Sequence, residues 1–283
     1  ILMIISTFHS DSNKPLIMAI LNVTPDSFYD GGLLFNNNNV SLDLAIKKVD
    51  ELIKSGADII DVGGESTRPG AIAVSQQEEL DRVIPVVESI VDRFGASVSV
   101  DTSSPIVINE SARVGAVMIN DVRALTRVGA IQAFAASGLN KWLMQMGGET
   151  RDMQITPSYT DVFAEVRKFL LDRVSVCELG GIDRKKILIE PGFGFGKKLE
   201  HNLSLFRSLT ELSELGFPFV VGLSRKSMIG SILNKPINER LFGSVTFAIL
   251  AVQKGAQILR VHDVSATADA FKILSAVEGI GNI

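Results

Sequence analysis

The 283-residue sequence holds one cysteine, Cys177, so no disulfide can form within the chain and no zinc site can be built from cysteines. That scarcity fits a reducing cytosol and a cytoplasmic protein. Histidine is almost as rare. His9, His201 and His262 stand far apart, which speaks against a histidine-built metal site. No run approaches the roughly 18 apolar residues of a membrane-spanning helix. Ile1 to Ile5 is too short for a signal-peptide core and has no basic lead, and a chain starting at Ile1 leaves room for native residues upstream. Basic residues do not dominate either. With 28 Lys and Arg against 32 Asp and Glu the net charge is −4, which excludes a generic cationic nucleic-acid binder. There is no fixed-period repeat and no linker rich in Pro, Ser or Gly, so residues 1–283 read as one domain. Asn36 to Asn39 reads as a solvated loop.

What is present is apolar: 46% of residues are hydrophobic, and the mean hydropathy of +0.27 is that of a chain with a sizeable core. Short β-rich runs alternate with longer amphipathic stretches. The runs are Leu16 to Val23, Asp58 to Val62, Ser97 to Val100, Ala116 to Ile119, Trp142 to Met146, Ile187 to Ile189, Phe219 to Leu223 and Gln257 to Val261. Each is nearly continuously hydrophobic, as parallel strands covered on both faces are. Leu42 to Lys54 reads as a helix with Leu44, Val49, Leu52 and Ile53 on one side, stopped by Ser55-Gly56. Glu78 to Phe94, Pro105 to Val114, Asp161 to Leu179 and Val264 to Val277 read similarly.

Eight strands alternating with helices suit an α/β chain folded as a (β/α)8 TIM barrel, whose typical length is about 250 residues. A doubly wound open sheet would alternate in the same way. The residues just past each run favour the barrel. They are Asn22, Gly63 to Arg68, Asp101, Asn120, Gln145, Glu190, Ser224 with Lys226, and Arg260 with His262. A closed sheet gathers all of these at one face, whereas an open sheet spreads them along a line. A set with Lys226, Arg260 and His262 beside glycine-bearing turns suits an anionic substrate, phosphate above all. Asp101 and Glu190 are expensive to bury unless they meet donors, and with Asn120 they can read a flat, donor-rich heterocycle. Against this stands the plainer possibility that each polar strand end caps its helix or satisfies a loop.

Other motifs fail on inspection. Gly192 to Lys198 reads GFGFGKK, one residue short of a P-loop and without its Ser or Thr. Asn22-Val23-Thr24 and Asn109-Glu110-Ser111 match the glycosylation pattern, with nothing to indicate secretion. Cys177 lies in a helical stretch with no activating neighbours and reads as filler.

Several longer segments resemble one family. Leu21 to Phe28 (LNVTPDSF) with Asp30-Gly31-Gly32 resembles the first signature of the dihydropteroate synthases, and Asp58 to Ala71 (DIIDVGGESTRPGA) the second. Ser99 to Thr102, Ile119 to Asp121, Pro191 to Lys197 (PGFGFGK), Ser224-Arg225-Lys226 and Arg260 to Asp263 follow in the family's order. The resemblance implies a (β/α)8 barrel that joins 6-hydroxymethyl-7,8-dihydropterin pyrophosphate to p-aminobenzoate, releasing pyrophosphate in folate biosynthesis, and that is a sulfonamide target. It implies a pterin site of Asp101, Asn120, Met144, Glu190, Phe195 and Lys226. The implied pyrophosphate site is Asn22, Arg68, Arg260 and His262, with Mg2+ near Asn22. The implied p-aminobenzoate pocket is Thr67, Pro69, Ser224 and Lys226. Asp101, Lys226, Arg260 and His262 would be the catalytic groups, and a homodimer formed through barrel helices is expected.

Two positions depart from the family pattern. Glu190 stands where the family has Asp, lengthening a pterin-binding carboxylate by one methylene. Gln145 stands where the family usually has His, in Leu143-Met144-Gln145-Met146, and is expected to perturb packing or the following loop without a catalytic role. Two other functions share the scaffold: a methyltetrahydrofolate-binding methyltransferase serving a corrinoid, and a non-catalytic pterin-binding paralogue. The Asn22 loop, the Ser66 to Gly70 turn and the Arg260/His262 pair speak against the first, because it has no pyrophosphate to manage.

Overall fold

In the computed structural model of the protein, residues 15–24, 41–66, 74–147 and 157–278 are described in full, with the backbone of 35–36 and 39–40. The described residues form eight parallel strands. These are β1 (Leu16–Asn22), β2 (Ile59–Gly63), β3 (Ser97–Asp101), β4 (Met118–Asp121), β5 (Asn140–Met144), β6 (Ile187–Glu190), β7 (Val220–Val221) and β8 (Ile258–Val261). Their order around the sheet is β6-β5-β4-β3-β2-β1-β8-β7. A parallel bridge between Ile189 and Phe219 joins β6 to the start of β7, with the Ile189 amide donating to the Pro218 carbonyl at 3.0 Å. That bridge closes the sheet into a (β/α)8 barrel. All eight strands overlap the apolar runs of the sequence; β5 starts at Asn140, two residues before its run, and ends at Met144 rather than Met146.

Helices cover the outside. α1 (Leu42–Lys54), α2 (Gln76–Phe94), α3 (Pro105–Arg113), α5 (Val162–Leu179) and α10 (Val264–Glu278) lie where the amphipathic pattern puts them. α2 starts where the Ser75 hydroxyl accepts from the Glu78 amide, and α5 where the Asp161 carboxylate accepts from the Ala164 amide. The buried face of α1 is Ala45, Ile46, Val49 and Leu52; Leu44, expected inside, is exposed, because the stripe that faces the sheet runs through Ala45 and Ile46. α4 (Ala130–Ser137), α6 (Leu199–Arg207), α7 (Leu209–Ser213), α8 (Ser227–Leu233) and α9 (Leu241–Gln253) complete the layer. Asn36–Asn39 is not simply loop: Phe35–Asn36 pairs antiparallel with Asn39–Val40. No helix among the described residues is long and apolar enough to cross a membrane.

Side chains alternate faces along a strand, and here the alternation separates two kinds of core. Outward residues such as Ile17, Ala19, Ile60, Val62, Val98 and Val100 pack under the helices. Inward ones form a plug of Leu16, Met18, Ile59, Met118, Trp142, Leu188, Val220 and Ile258. One or two steps of two residues further along the same strands, the inward positions turn polar: Asn22, Asp61, Asp101, Asn120, Glu190 and Arg260. The barrel is thus filled at one end and chemically equipped at the other.

Two outward positions break the apolar rule, Asp121 on β4 and Lys141 on β5. Lys141 is fully buried, its ammonium 3.8 Å from Asp121 and 5.5 Å from the Phe134 ring centroid, with no hydrogen-bond partner among the described residues. Burial lowers its pKa to about 8, against the opposing pull of Asp121. Asp121 is satisfied by other donors, namely the Ser103 hydroxyl and the amides of Arg123 and Leu125. Lys141→Met is therefore expected to stabilise the protein by about 1–3 kcal/mol at neutral pH, read as a raised Tm. The unfolded lysine binds its proton more tightly than the folded one, so the penalty is fully present below the folded pKa of about 8. It fades as pH rises through that value toward the unfolded one. The Tm advantage of the variant should shrink over that window.

Candidate active site

The polar mouth of the barrel is a cavity of about 600 Å³. Asn22, Asp101, Asn120, Met144, Glu190, Phe195, Ser224, Lys226, Arg260 and His262, contributed by seven of the strand ends and the loops after them, all line it. Thr67, Arg68 and Pro69 lie outside the described residues. Gln145 does not face the cavity, although its place at a strand end suggested that it would. Met144 points inward, so its neighbour points out, and the Gln145 side chain meets Lys197 instead.

At the floor stands Asp61, fully buried. Its Oδ2 accepts from Arg260 Nε at 2.7 Å and from Asn120 Nδ2 at 3.2 Å. Arg260 Nη2 lies 3.4 Å from Asp101 Oδ2. One guanidinium thus spans two carboxylates from β2 and β3. The sequence reading missed Asp61 because it sits inside an apolar run. A signal was there: a charged residue in the middle of a strand covered on both faces must have a partner. Asp61 Oδ1, Asn120 Oδ1 and Trp142 Nε1 are buried with no hydrogen-bond partner among the described residues. Of these three residues Asn120 and Trp142 line the cavity, and the unmet Asn120 acceptor suits a ligand with N–H donors.

The opposite wall carries Glu190 and Lys226. Lys226 Nζ donates to the Phe193 carbonyl at 2.5 Å and sits 4.5 Å from the Phe195 ring centroid. Burial lowers the Lys226 pKa to about 8, with Glu190 opposing the fall. Burial raises Glu190 to about 7, with Lys226, Arg260 and Lys197 holding it down. Its longer side chain fits because Gly222 has none: Glu190 Oε1 lies 3.3 Å from where a Cβ at Gly222 would be. Asp101 is raised to about 8, first by burial and then by the charge of Asp61.

Ser224 and His262 are joined. Ser224 Oγ accepts from the His262 amide at 3.1 Å and lies 3.0 Å from His262 Nδ1. With the hydroxyl hydrogen directed to Nδ1, the ring proton sits on Nε2. Burial and then the charge of Arg260 push His262 down to about 3, so the ring is a neutral donor, not the cation its residue type suggested. Arg225, between Ser224 and Lys226, makes a two-pronged pair with Asp263 at 2.8 and 2.7 Å and donates to the carbonyls of Ile237 and Asn238. It fixes the frame around the cavity.

The sequence matches the model of the pterin binding enzymes over residues 18–262. It is 52% identical over 266 residues to the dihydropteroate synthase of Escherichia coli K12, covering 94% of this chain and 93% of that one. Among solved structures, it resembles Yersinia pestis dihydropteroate synthase in a sulfonamide drug complex, with a TM-score of 0.91 and 48% identity over 95% of this chain and 96% of that one. Xanthomonas albilineans dihydropteroate synthase with 4-aminobenzoic acid gives a TM-score of 0.87 and 46% identity, over 95% and 94%.

The floor geometry can be tested without any ligand. In Asp61→Asn the Arg260 charge loses its shortest partner, and stability should fall by about 3 kcal/mol in chemical denaturation. The carboxyl of Asp101 should titrate well below about 8 in the variant, because the neighbouring negative charge is gone and Arg260 turns to it. Carbon-13 NMR of the Asp101 carboxyl reads that shift.

Proposed function

The chain belongs to the pterin binding enzyme family, and on that premise we propose that it catalyses the dihydropteroate synthase reaction. The aniline nitrogen of p-aminobenzoate attacks the methylene carbon of 6-hydroxymethyl-7,8-dihydropterin pyrophosphate. The C–N bond forms, the C–O bond to pyrophosphate breaks, and the nitrogen loses one proton. The products are 7,8-dihydropteroate and pyrophosphate. The observation that carries this reading is the meeting, in one cavity, of the unmet Asn120 acceptor with the Arg260 guanidinium and the His262 ring.

No enzyme nucleophile is needed. Asn120 and Glu190 accept from the pterin's N–H groups, Lys226 donates to its acceptor, and Phe195 and Met144 pack against the ring. Asp101 faces the pterin; burial and Asp61 keep its carboxyl largely protonated in the empty cavity, and positive charge developing at the methylene would favour its ionised form. Arg260 and the Nε2–H of His262 hold the departing pyrophosphate, with Arg68 as a further cation. Ser224, Thr67, Pro69 and the stem of Lys226 form the p-aminobenzoate pocket, which sulfonamides would enter.

Asn22 presents its carboxamide to the cavity beside Gly63, and among the described residues no cluster of His, Cys, Asp or Glu could cage a metal ion. One amide oxygen suits Mg2+, which keeps most of its waters and binds phosphates rather than all-protein cages. We assign Asn22 as its protein ligand. The ion supplies charge neutralisation on the leaving group.

The test is an assay with the pterin pyrophosphate, p-aminobenzoate and Mg2+, in which pyrophosphate and dihydropteroate should appear in equal amounts. No turnover by the wild type, with turnover gained in Glu190→Asp, would overturn the reading and mark the chain as a non-catalytic paralogue. Since Gly222 makes room for the longer carboxylate, the expected kcat/KM of Glu190→Asp is within about tenfold of wild type, a cost of about 1.4 kcal/mol or less.

We further propose that the protein acts as a homodimer in the cytoplasm. Helix α9 has no charged residue in its 13 positions, and Phe242 and Leu250 on it are exposed. Its neighbour α10 exposes Ile273 and Val277. A helix apolar on every side is normally covered. Sedimentation analysis should give a dimer, and Phe242→Asp should shift it to monomer without a loss of Tm larger than dissociation explains.

A further inference from the structure

Behind the loop that follows β6 lies a buried polar knot that the cavity residues do not account for. Lys197 is only 4% exposed. Its ammonium donates to the Gly192 carbonyl at 2.9 Å, the Phe195 carbonyl at 3.2 Å and the Gln145 side-chain oxygen. Three N–H bonds meet three uncharged oxygens; burial and then the charge of Lys226 lower the Lys197 pKa to about 7, with Glu190 opposing the fall. The Gln145 side chain also hydrogen-bonds the Tyr159 hydroxyl, and the Tyr159 ring centroid lies 5.9 Å from Lys197 Nζ.

The loop is moulded onto the segment that carries Gln145. Gly192 has φ of 69°, and a Cβ there would lie 1.8 Å from the Gln145 carbonyl oxygen. Gly196, with φ of 61°, would place a Cβ 2.4 Å from the Gly147 carbonyl. No side chain fits at either place. Between these two contacts the loop offers its working parts to the cavity, namely the Phe193 carbonyl that receives Lys226 and the Phe195 ring beneath it. The Gly192 and Phe195 carbonyls held by Lys197 flank the Phe193 carbonyl held by Lys226.

We propose that Lys197, anchored by Gln145, is a positioning residue for the pterin: it fixes the 192–197 loop and through it the places of Phe195 and Lys226. The proposal rests on the pterin reading of the cavity. It also gives Gln145 a part. A carboxamide oxygen accepts at every pH, whereas an imidazole at that place would accept only through a deprotonated nitrogen. The three hydrogen bonds of the ammonium thus all go to neutral dipoles behind the cavity, while Glu190 acts on it only through its charge. Small displacements matter here, since misplacing a positioned group by about 1 Å can cost up to 100-fold in rate.

Three variants test this: Lys197→Met, Gln145→Leu and the double variant. In the ligand-free protein, Lys197→Met should speed amide hydrogen exchange across 192–197 by at least about tenfold, with distant strands unchanged. Calorimetric binding of 6-hydroxymethyl-7,8-dihydropterin should weaken by about 10- to 100-fold. KM for the pterin pyrophosphate should rise while KM for p-aminobenzoate stays within about twofold, a split that general destabilisation would not produce. The double variant should bind the pterin no worse than Lys197→Met alone, because the two residues act as a unit. Unchanged loop exchange and pterin affinity in folded Lys197→Met would overturn the proposal, and so would additive effects in the double variant. If Lys197→Met does not fold, Gln145→Leu carries the test in the same direction, and unchanged exchange and affinity there overturn it. A wild type that binds the pterin but releases no pyrophosphate would defeat the proposed reaction instead, leaving the exchange and binding comparisons to decide this point.

Discussion

The mouth of the barrel is organised by the contact between Asp61 and Arg260. The carboxylate has no exposure, and its Oδ2 receives both Arg260 from β8 and Asn120 from β4, while Arg260 reaches on toward Asp101 on β3. Four strand ends are thereby tied through one oxygen and one guanidinium. A buried ion pair adds little net stability, because desolvation of both partners offsets their attraction. What it supplies is orientation. Arg260 cannot leave Asp61 without stranding a charge, so the groups that meet a ligand are fixed before the ligand arrives.

That arrangement leaves a cavity unbalanced in its ligand-free form. Burial pushes Asp101 and Glu190 up, to about 8 and about 7, and pushes Lys226 down to about 8. The two carboxyls ionise reluctantly, and each of the three groups is only partly matched by its neighbours. A flat molecule with N–H donors on one edge and an anionic tail would meet all of them at once: the acceptors of Asn120 and Glu190, a donor in Lys226, and Arg260 with neutral His262. The unmet oxygen of Asn120 points to the same conclusion by a separate route.

Much of this was legible in the sequence, for definite physical reasons. Strands buried on both faces must be continuously apolar, so all eight showed as runs. The polar residues ending those runs are the ones that face the cavity. Gln145 was misplaced because the position of a residue past a run does not reveal its parity. Met144 took the inward place and Gln145 the outward one. Asp61 was hidden by the opposite error, a charge absorbed into a run by its apolar neighbours. α9 gave no amphipathic period because it is apolar all round, and Leu44 was set on the wrong face because Ala45 and Ile46 do the packing. Residue type also overstated His262, which burial and Arg260 keep neutral.

Parity further explains why the signature segments hold two kinds of residue. In Ser224-Arg225-Lys226 all three line the cavity, but the Arg225 guanidinium is committed to Asp263. In Arg260-Val261-His262-Asp263, Arg260 and His262 face the ligand, Val261 packs under the helices and Asp263 closes on Arg225. The same division separates Glu190 and Met144 from Lys197 and Gln145. Each segment thus supplies contacting side chains and the clamps that hold a neighbouring segment still. Arg225 with Asp263 joins the ends of β7 and β8, and Gln145 with Lys197 joins those of β5 and β6. A barrel whose strands end in loops would otherwise leave its ligand groups on mobile supports. Pairing the ends two by two from behind gives those groups a rigid base, and the short β7, with only two paired residues, is where such a clamp is needed most.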